Sequence, residues 1–162
     1  MMRLLLKIEI FVDGQEKFDR LKEDIRKAKH HIHLLYYIFN QDEIGEEIMQ
    51  LLIDKAQEGL EVLVIYDALG SRQTRNSFWN KLHEAGGQSV AFFGYTLGFI
   101  NWRINYRNHR KIVVIDGEIG YIGGFNVGDE YLGKGPLGAW RDTHIRIAGD
   151  AVYSLQSRFL VD

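Results

Sequence analysis

Residues 108–126 read NHRKIVVIDGEIGYIGGFN, and this stretch predicts a hairpin of two β-strands. A run of β-branched and other apolar residues lies on each side of Asp116-Gly117, a pair that is typical of a tight two-residue turn. Because side chains alternate across a strand, His109 and Lys111 project from the same face, about 7 Å apart along it. An imidazole and an ammonium group are therefore expected to meet one ligand.

The same hairpin predicts where Asn126 lies. If the turn begins at Asp116, Asn126 is the diagonal neighbour of His109; if it begins one residue later, Asn126 lies directly opposite His109. Both two-residue turns place these side chains on one face, where Gly124 leaves room for a ligand. A loop of three residues would break this arrangement. By the same alternation, Asp116 lies on the opposite strand face from His109. A role as a turn residue explains it at least as well as a direct catalytic role.

These side chains suit displacement at a phosphodiester. Lys111 supplies positive charge and Asn126 a hydrogen-bond donor for the nonbridging oxygens, where negative charge builds in the transition state. His109 can attack phosphorus through one ring nitrogen, which splits the displacement into two steps through a phosphohistidine. The other nitrogen needs an acceptor that fixes the tautomer, and Asp142 is the first candidate. Weaker candidates are Asp129 and Glu130. This chemistry requires no metal and no cofactor.

The rest of the chain predicts an α/β fold. Before the hairpin, predicted strands at 7–12, 31–39 and 60–66 alternate with predicted helices at 16–29 and 42–58. Two strand-helix-strand units in succession favour a sandwich whose sheet is mixed and at least partly parallel. The remaining predicted elements are a helix at 75–85, strands at 89–93 and 143–147, and a helix at 150–160.

Length and composition limit the number of domains and the kinds of site that the chain can form. The 162 residues are 46% hydrophobic and 26% charged, which predicts a single globular domain over 1–162. The chain has no cysteine, so disulfides and thiolate metal sites are excluded. Its longest apolar runs fall far short of the roughly 20 residues that span a bilayer. The chain given is therefore expected to be soluble.

The distribution of charge points to an anion. A net charge of -2 argues against a protein whose whole surface binds nucleic acid. Between Glu84 and Asp116, however, no residue is acidic and several are aromatic. This segment predicts anion binding, with a solvated basic loop as the plain alternative. Its cationic residues are Arg103, Arg107, Arg110 and Lys111.

The spacing HxKxxxxD, followed by six residues and GGxN, resembles the phospholipase D superfamily. The resemblance implies that His109 is a nucleophile or general acid, that Lys111 and Asn126 bind phosphate, and that Asp116 is the acid of the motif. It also places Gly124 in the phosphate-binding segment. The superfamily often has serine at that position, whereas the glycine form occurs in cardiolipin synthases.

A finer resemblance is to bacterial cardiolipin synthases. It implies a phospholipase D-like αβα sandwich and an enzyme that joins two phosphatidylglycerol molecules into cardiolipin and glycerol through a phosphatidyl-histidine. It also implies that the full-length protein lies at the bacterial cell membrane. The matching segments are Tyr36–Phe39, Tyr66-Asp67, Gly70-Ser71, Asn108–Lys111, Gly123–Tyr131 and Trp140–Asp142.

Such synthases carry two motifs in one chain, and their two histidines share one active site as nucleophile and general acid. The single motif here implies half a site, completed by a second motif half or by another copy of the chain. The apolar stripe that runs up to Asp162 suits a fragment of a longer protein. Two alternatives remain: a homodimeric, metal-independent phosphodiesterase or nuclease, and a noncatalytic phosphate-binding or assembly module. The acidic net charge favours lipid over nucleic acid.

Overall fold

A computed structural model describes residues 6–92, 107–136 and 138–162. Its strands are β1 (Lys7–Phe11), β2 (His31–Tyr36), β3 (Glu61–Asp67), β4 (Gln88–Phe92), β5 (Ile112–Ile115), β6 (Ile119–Gly123) and β7 (His144–Ala148). They form one mixed sheet in the order β1-β7-β6-β5-β2-β3-β4. Strands β2, β3 and β4 run parallel to one another, and the remaining neighbours are antiparallel. The predicted mixed, partly parallel sheet is thereby confirmed.

Helices cover both faces of the sheet, which confirms the αβα sandwich. They are α1 (Gly14–Lys27), α2 (Glu43–Gln57), α3 (Asn76–Glu84), a short 3-10 helix (Asp129–Leu132) and α4 (Val152–Val161). The apolar side chains of the strands alternate between two cores: Ile32 and Leu34 of β2 pack towards α1, α2 and α3, whereas Leu35 packs towards α4. Within the described ranges, no helix is both long and apolar enough to cross a bilayer.

The start of α2 is tied to the segment that follows β6. Asp42 caps α2 by accepting from the backbone nitrogen of Gly45 at 3.1 Å, and it also accepts from the nitrogen of Asp129 at 2.8 Å. Asp129 in turn accepts from the backbone nitrogens of Glu43 and Ile44. This reciprocal capping holds the segment that carries Asn126 close to the end of β2.

The β5–β6 hairpin differs from the expectation, because its loop has three residues and not two. Ile115 pairs with Ile119 in the ladder. Asp116 and Gly117 adopt positive φ of 55° and 66°, and the nitrogen of Glu118 donates to the carbonyl of Ile115 at 3.0 Å. Glu118 is therefore a third loop residue, which precedes the first paired residue of β6. The predicted position of Asn126, diagonal to His109 or directly opposite it across a two-residue turn, is therefore wrong.

Asp116 explains why the turn takes this form. Its carboxylate accepts from the backbone nitrogens of Lys29, His30 and His31, at 2.8 to 3.0 Å, where the chain leaves α1 and enters β2. Its own nitrogen donates to the carbonyl of His31. Partial burial alone would raise the pKa of Asp116, but these backbone hydrogen bonds outweigh burial and lower it. The turn is thus shaped by contacts far away in sequence.

Replacing Asp116 with alanine is expected to lower the free energy of unfolding by about 3 kcal/mol, because three backbone donors lose a charged acceptor. A carboxyl whose pKa is lowered on folding stabilises above its unfolded pKa of about 3.9, and this contribution is lost as pH falls through the folded value. Urea unfolding at pH 7 and in acid measures both effects. Glu118→Ala, at the exposed end of the same turn, is the control; an equal loss in both variants would contradict the anchoring role.

Candidate active site

His109 and Lys111 meet at the end of the sheet where β2 stops and β5 begins. The Nζ of Lys111 lies 2.9 Å from Nδ1 of His109 and 2.7 Å from the His109 carbonyl oxygen. Lys111 is 2% exposed, whereas the side chain of His109 is exposed. Because the ammonium contacts Nδ1, Nε2 is the ring nitrogen left for a phosphate group. The pair therefore presents one nitrogen base and one buried cation to the same ligand.

The charge states of this pair follow from burial. Burial lowers the pKa of Lys111 to about 8, although the carboxylate of Asp142 opposes the shift. Partial burial and the charge of Lys111 also lower the pKa of His109, and Asp67 opposes that shift. At neutral pH the imidazole is therefore mostly uncharged while the lysine keeps its proton. An uncharged imidazole is the form that attacks phosphorus or accepts a proton.

Asn126 is placed by the segment that follows β2, and not by the hairpin. Its Oδ1 accepts from the nitrogen of Ile38 at 3.1 Å, and its Nδ2 donates to the hydroxyl of Tyr131 at 2.8 Å. Beside it, Phe39 and Val127 form a parallel bridge. The amide is 4% exposed and held at both ends, and its second N–H is the donor left for a phosphate oxygen.

Asp142 and Gly124 lie against each other. A Cβ added at Gly124 would sit 1.9 Å from Oδ1 of Asp142, so a larger residue at position 124 would require this carboxylate to move. That oxygen accepts from the nitrogen of Thr143 at 2.7 Å. The expected hydrogen bond from a ring nitrogen of His109 to the carboxylate of Asp142 is not among the contacts of the described residues. The carboxylate acts on Lys111 instead, as the charge that opposes its deprotonation.

The structure separates Asp116 from the other candidate residues. The four residues of β5 lie between it and Lys111, at opposite ends of that strand. Its carboxylate is taken up by the backbone at the start of β2, as described above. Of the basic segment before the hairpin, Arg103 lies outside the described residues.

Two further residues at the site were not singled out as candidates from the sequence. The ring of Tyr37 lies 4.5 Å from that of His109, and Nζ of Lys111 lies 5.6 Å from the Tyr37 ring. Buried Asp67 forms an ion pair with Arg107 at 3.7 Å. Tyr37 and Asp67 stand at the carboxyl ends of the neighbouring parallel strands β2 and β3. That shared edge is where α/β sheets place their ligands, and this rule could have identified both.

Sequence comparison relates the chain to a known family. The family model described as "Cardiolipin synthase, PLD-like domain" matches residues 21–135. The chain is 57% identical to a cardiolipin synthase from Listeria innocua and 56% identical to the major cardiolipin synthase ClsA of Bacillus subtilis. Each match covers 96% of this chain but only 32% of the relative, so the chain spans about a third of the length of these relatives.

A solved structure shares the fold at low sequence identity. The phospholipase D family member Nuc from Salmonella typhimurium superposes with a TM-score of 0.73 at 16% identity, and the match covers 96% of this chain and 92% of Nuc. At that identity the likeness concerns the fold alone. The family match over most of the sheet and over the whole 108–126 stretch decides the assignment: the chain belongs to the phospholipase D-like domain family of the cardiolipin synthases.

Proposed function

We propose that this chain supplies one half of an active site that transfers a phosphatidyl group between two phosphatidylglycerol molecules, forming cardiolipin and glycerol. The observation that carries the proposal is the contact between the buried ammonium of Lys111 and the exposed imidazole of His109. A cation and a nitrogen base held together at a surface suit a phosphodiester at the end of a lipid. The relatives named cardiolipin synthase support this choice of substrate.

The reaction has two displacements. One histidine nitrogen attacks phosphorus, a P–N bond forms, and the P–O bond to glycerol breaks while a second histidine gives that oxygen a proton. A hydroxyl of another phosphatidylglycerol then returns a proton to the second histidine and attacks phosphorus, which breaks the P–N bond and releases cardiolipin. His109 is either the histidine that attacks phosphorus or the histidine that transfers the proton. Lys111 and Asn126 neutralise and bind the nonbridging oxygens in both steps.

The second histidine comes from a partner half. Two displacements at one phosphorus need groups on both of its sides, and His109 supplies one. The relatives are about three times as long as this chain, so they have room for another motif. A second copy of the chain is the other possible source. Since the substrate is a phospholipid, the full-length protein works at the bacterial cell membrane.

A comparison of substrates tests this function. The full-length protein is incubated with phosphatidylglycerol in detergent micelles and, separately, with supercoiled plasmid DNA, both with EDTA. Cardiolipin formation without plasmid cleavage is the expected result, in line with the net charge of -2. Plasmid cleavage without lipid turnover would replace the proposal with a phosphodiesterase acting on nucleic acid.

The rate is expected to depend on the charge of Lys111. As pH rises through the Lys111 pKa of about 8, the ammonium loses its proton and the phosphate loses its buried cation. We therefore expect kcat/KM, which reports the free enzyme, to fall above about pH 8. Lys111→Arg keeps a charge throughout this range, so any activity it retains should lack the alkaline fall. The same alkaline fall in both proteins would assign it to another group.

A further inference from the structure

A cavity of about 330 Å³ lies between the segments that follow β2 and β3. Tyr37 forms part of its wall, and the Tyr37 ring lies 4.5 Å from the ring of His109 and 5.6 Å from Nζ of Lys111. Ile38, also in the wall, donates its backbone N–H to Oδ1 of Asn126 at 3.1 Å. The cavity therefore adjoins the three side chains that we assign to the reacting phosphate.

Hydrogen bonds between its walls hold the cavity in shape. Oγ of Ser71, after β3, accepts from the backbone nitrogen of Phe39, after β2, at 3.0 Å. The two backbones also touch, because a Cβ added at Gly70 would lie 2.2 Å from the carbonyl oxygen of Tyr37. At the end of β3, Asp67 accepts from the nitrogen of Gly70 at 3.0 Å. The cavity is thus formed without a ligand, which lowers the cost of binding one.

The polar side chains in the wall have hydrogen-bonding groups to spare. The guanidinium of Arg72 forms no hydrogen bond and no ion pair with any described residue, although Glu130 lines the same cavity. Asn40 and Gln73 also lie in the wall, and across the described ranges their side-chain amides form no hydrogen bond. One cation, two amides and one carboxylate around a small space suit a ligand that carries both a negative charge and hydroxyl groups.

The lipid that accepts the phosphatidyl group is such a ligand. Its attacking hydroxyl belongs to a glycerol whose other end carries the lipid's own phosphodiester. Lys111 and Asn126 bind the reacting phosphate, so this second anion needs another cation, and a guanidinium binds phosphate through paired hydrogen bonds. Ligand cavities usually measure roughly 300–1,000 Å³, so this one, at the small end, has room for glycerol and phosphate but not for acyl chains.

We propose that this cavity is the acceptor subsite, in which Arg72 binds the phosphodiester of the second phosphatidylglycerol. Asn40, Gln73 and Glu130 bind the free hydroxyl of its glycerol. The inference rests on the proposed function. Water can also attack the phosphatidyl-histidine: a P–O bond forms, the P–N bond breaks, a proton passes to the second histidine, and phosphatidic acid is released. Water carries no phosphate for Arg72 to bind, so Arg72 favours transfer to lipid over hydrolysis.

The plain alternative is a solvated groove. Arg72 and Gln73 are exposed, and exposed arginines commonly contact only water. A groove of that kind would leave the choice between lipid and water unaffected by Arg72. Arg75 provides the matched comparison, because it is the next arginine along the chain, is exposed, begins α3 and does not line the cavity.

The first test compares products from the full-length wild type, Arg72→Met and Arg75→Met with phosphatidylglycerol as substrate. Arg72→Met is expected to raise the ratio of phosphatidic acid to cardiolipin about tenfold, because the intermediate waits longer for a lipid acceptor. Arg72→Lys should recover part of the change, and Arg75→Met should match wild type. An equal ratio in all proteins would overturn the proposal. A parallel loss of both products in Arg72→Met would also overturn it, since that result assigns Arg72 to the donor lipid.

The second test measures binding and does not depend on turnover. Its probe is glycerophosphoglycerol, the headgroup of phosphatidylglycerol without acyl chains, and calorimetry gives the affinity. In full-length Lys111→Met, which lacks the cation of the reacting phosphate, adding Arg72→Met is expected to weaken binding about tenfold. Unchanged affinity would overturn the inference. Arg72-dependent binding in a protein that makes no cardiolipin would overturn only the proposed function, whereas cardiolipin formation with an unchanged product ratio would overturn only this inference.

Discussion

Full-length protein carrying His109→Ala is expected to form cardiolipin at least about 10³-fold more slowly than wild type. Whether His109 attacks phosphorus or moves the proton, its loss leaves one displacement step without its reacting group. The side chain is exposed and lies beside the tilted ring of Tyr37, so the fold should tolerate the change. Cardiolipin formed from phosphatidylglycerol, quantified by mass spectrometry, is the readout.

The matched control for His109 is His83→Ala. His83 is an exposed histidine on α3 that bonds Ser89, far along the chain from the site. Its variant should keep wild-type turnover. Retention of activity by His109→Ala would remove His109 from the reaction, whatever the result with the control.

The second large effect is expected for Lys111→Met. Loss of one preorganised positive group at a developing oxyanion costs about 10²- to 10³-fold in kcat, and we expect a decrease of that size. Methionine preserves the buried apolar stem, and it also removes an amine whose pKa burial has lowered. The free energy of unfolding at neutral pH should therefore fall little or rise. A large loss of activity with an intact fold would assign Lys111 to phosphate binding and not to packing of the core.

Arg110→Met is the control for Lys111. Arg110 is the preceding residue; its side chain is 46% exposed, and it forms an ion pair with Asp162. Steady-state kinetics and thermal unfolding of the two variants decide the outcome. If both lose activity equally, the basic character of the segment is what matters, and the specific role of Lys111 fails.

The fold was largely predictable because its determinants are local. β-branched runs define β2, β3 and β5, and the aspartates before α1 and α2 begin those helices. The alternation of strands and helices then leads to parallel pairing of β2 and β3. The loop after β5 was mispredicted because Asp116 bonds backbone groups some 85 residues earlier, and no local pattern contains that contact.

The candidate site was likewise predictable where its residues are close in sequence and unpredictable where distant segments meet. His109 and Lys111 are two residues apart, and this spacing alone anticipated that their side chains lie close together. The position of Asn126 depends on Ile38 and Tyr131, and those contacts arise only when the segments after β2 and β6 pair.

The products that the full-length protein forms from phosphatidylglycerol in the presence of EDTA test the central claim most directly. The account predicts cardiolipin and free glycerol in equal amounts, because each transfer releases one glycerol for each cardiolipin formed. Phosphatidic acid with glycerol and no cardiolipin would show that water, and not a second lipid, accepts the phosphatidyl group. That result would contradict the assignment of this chain to a transferase site.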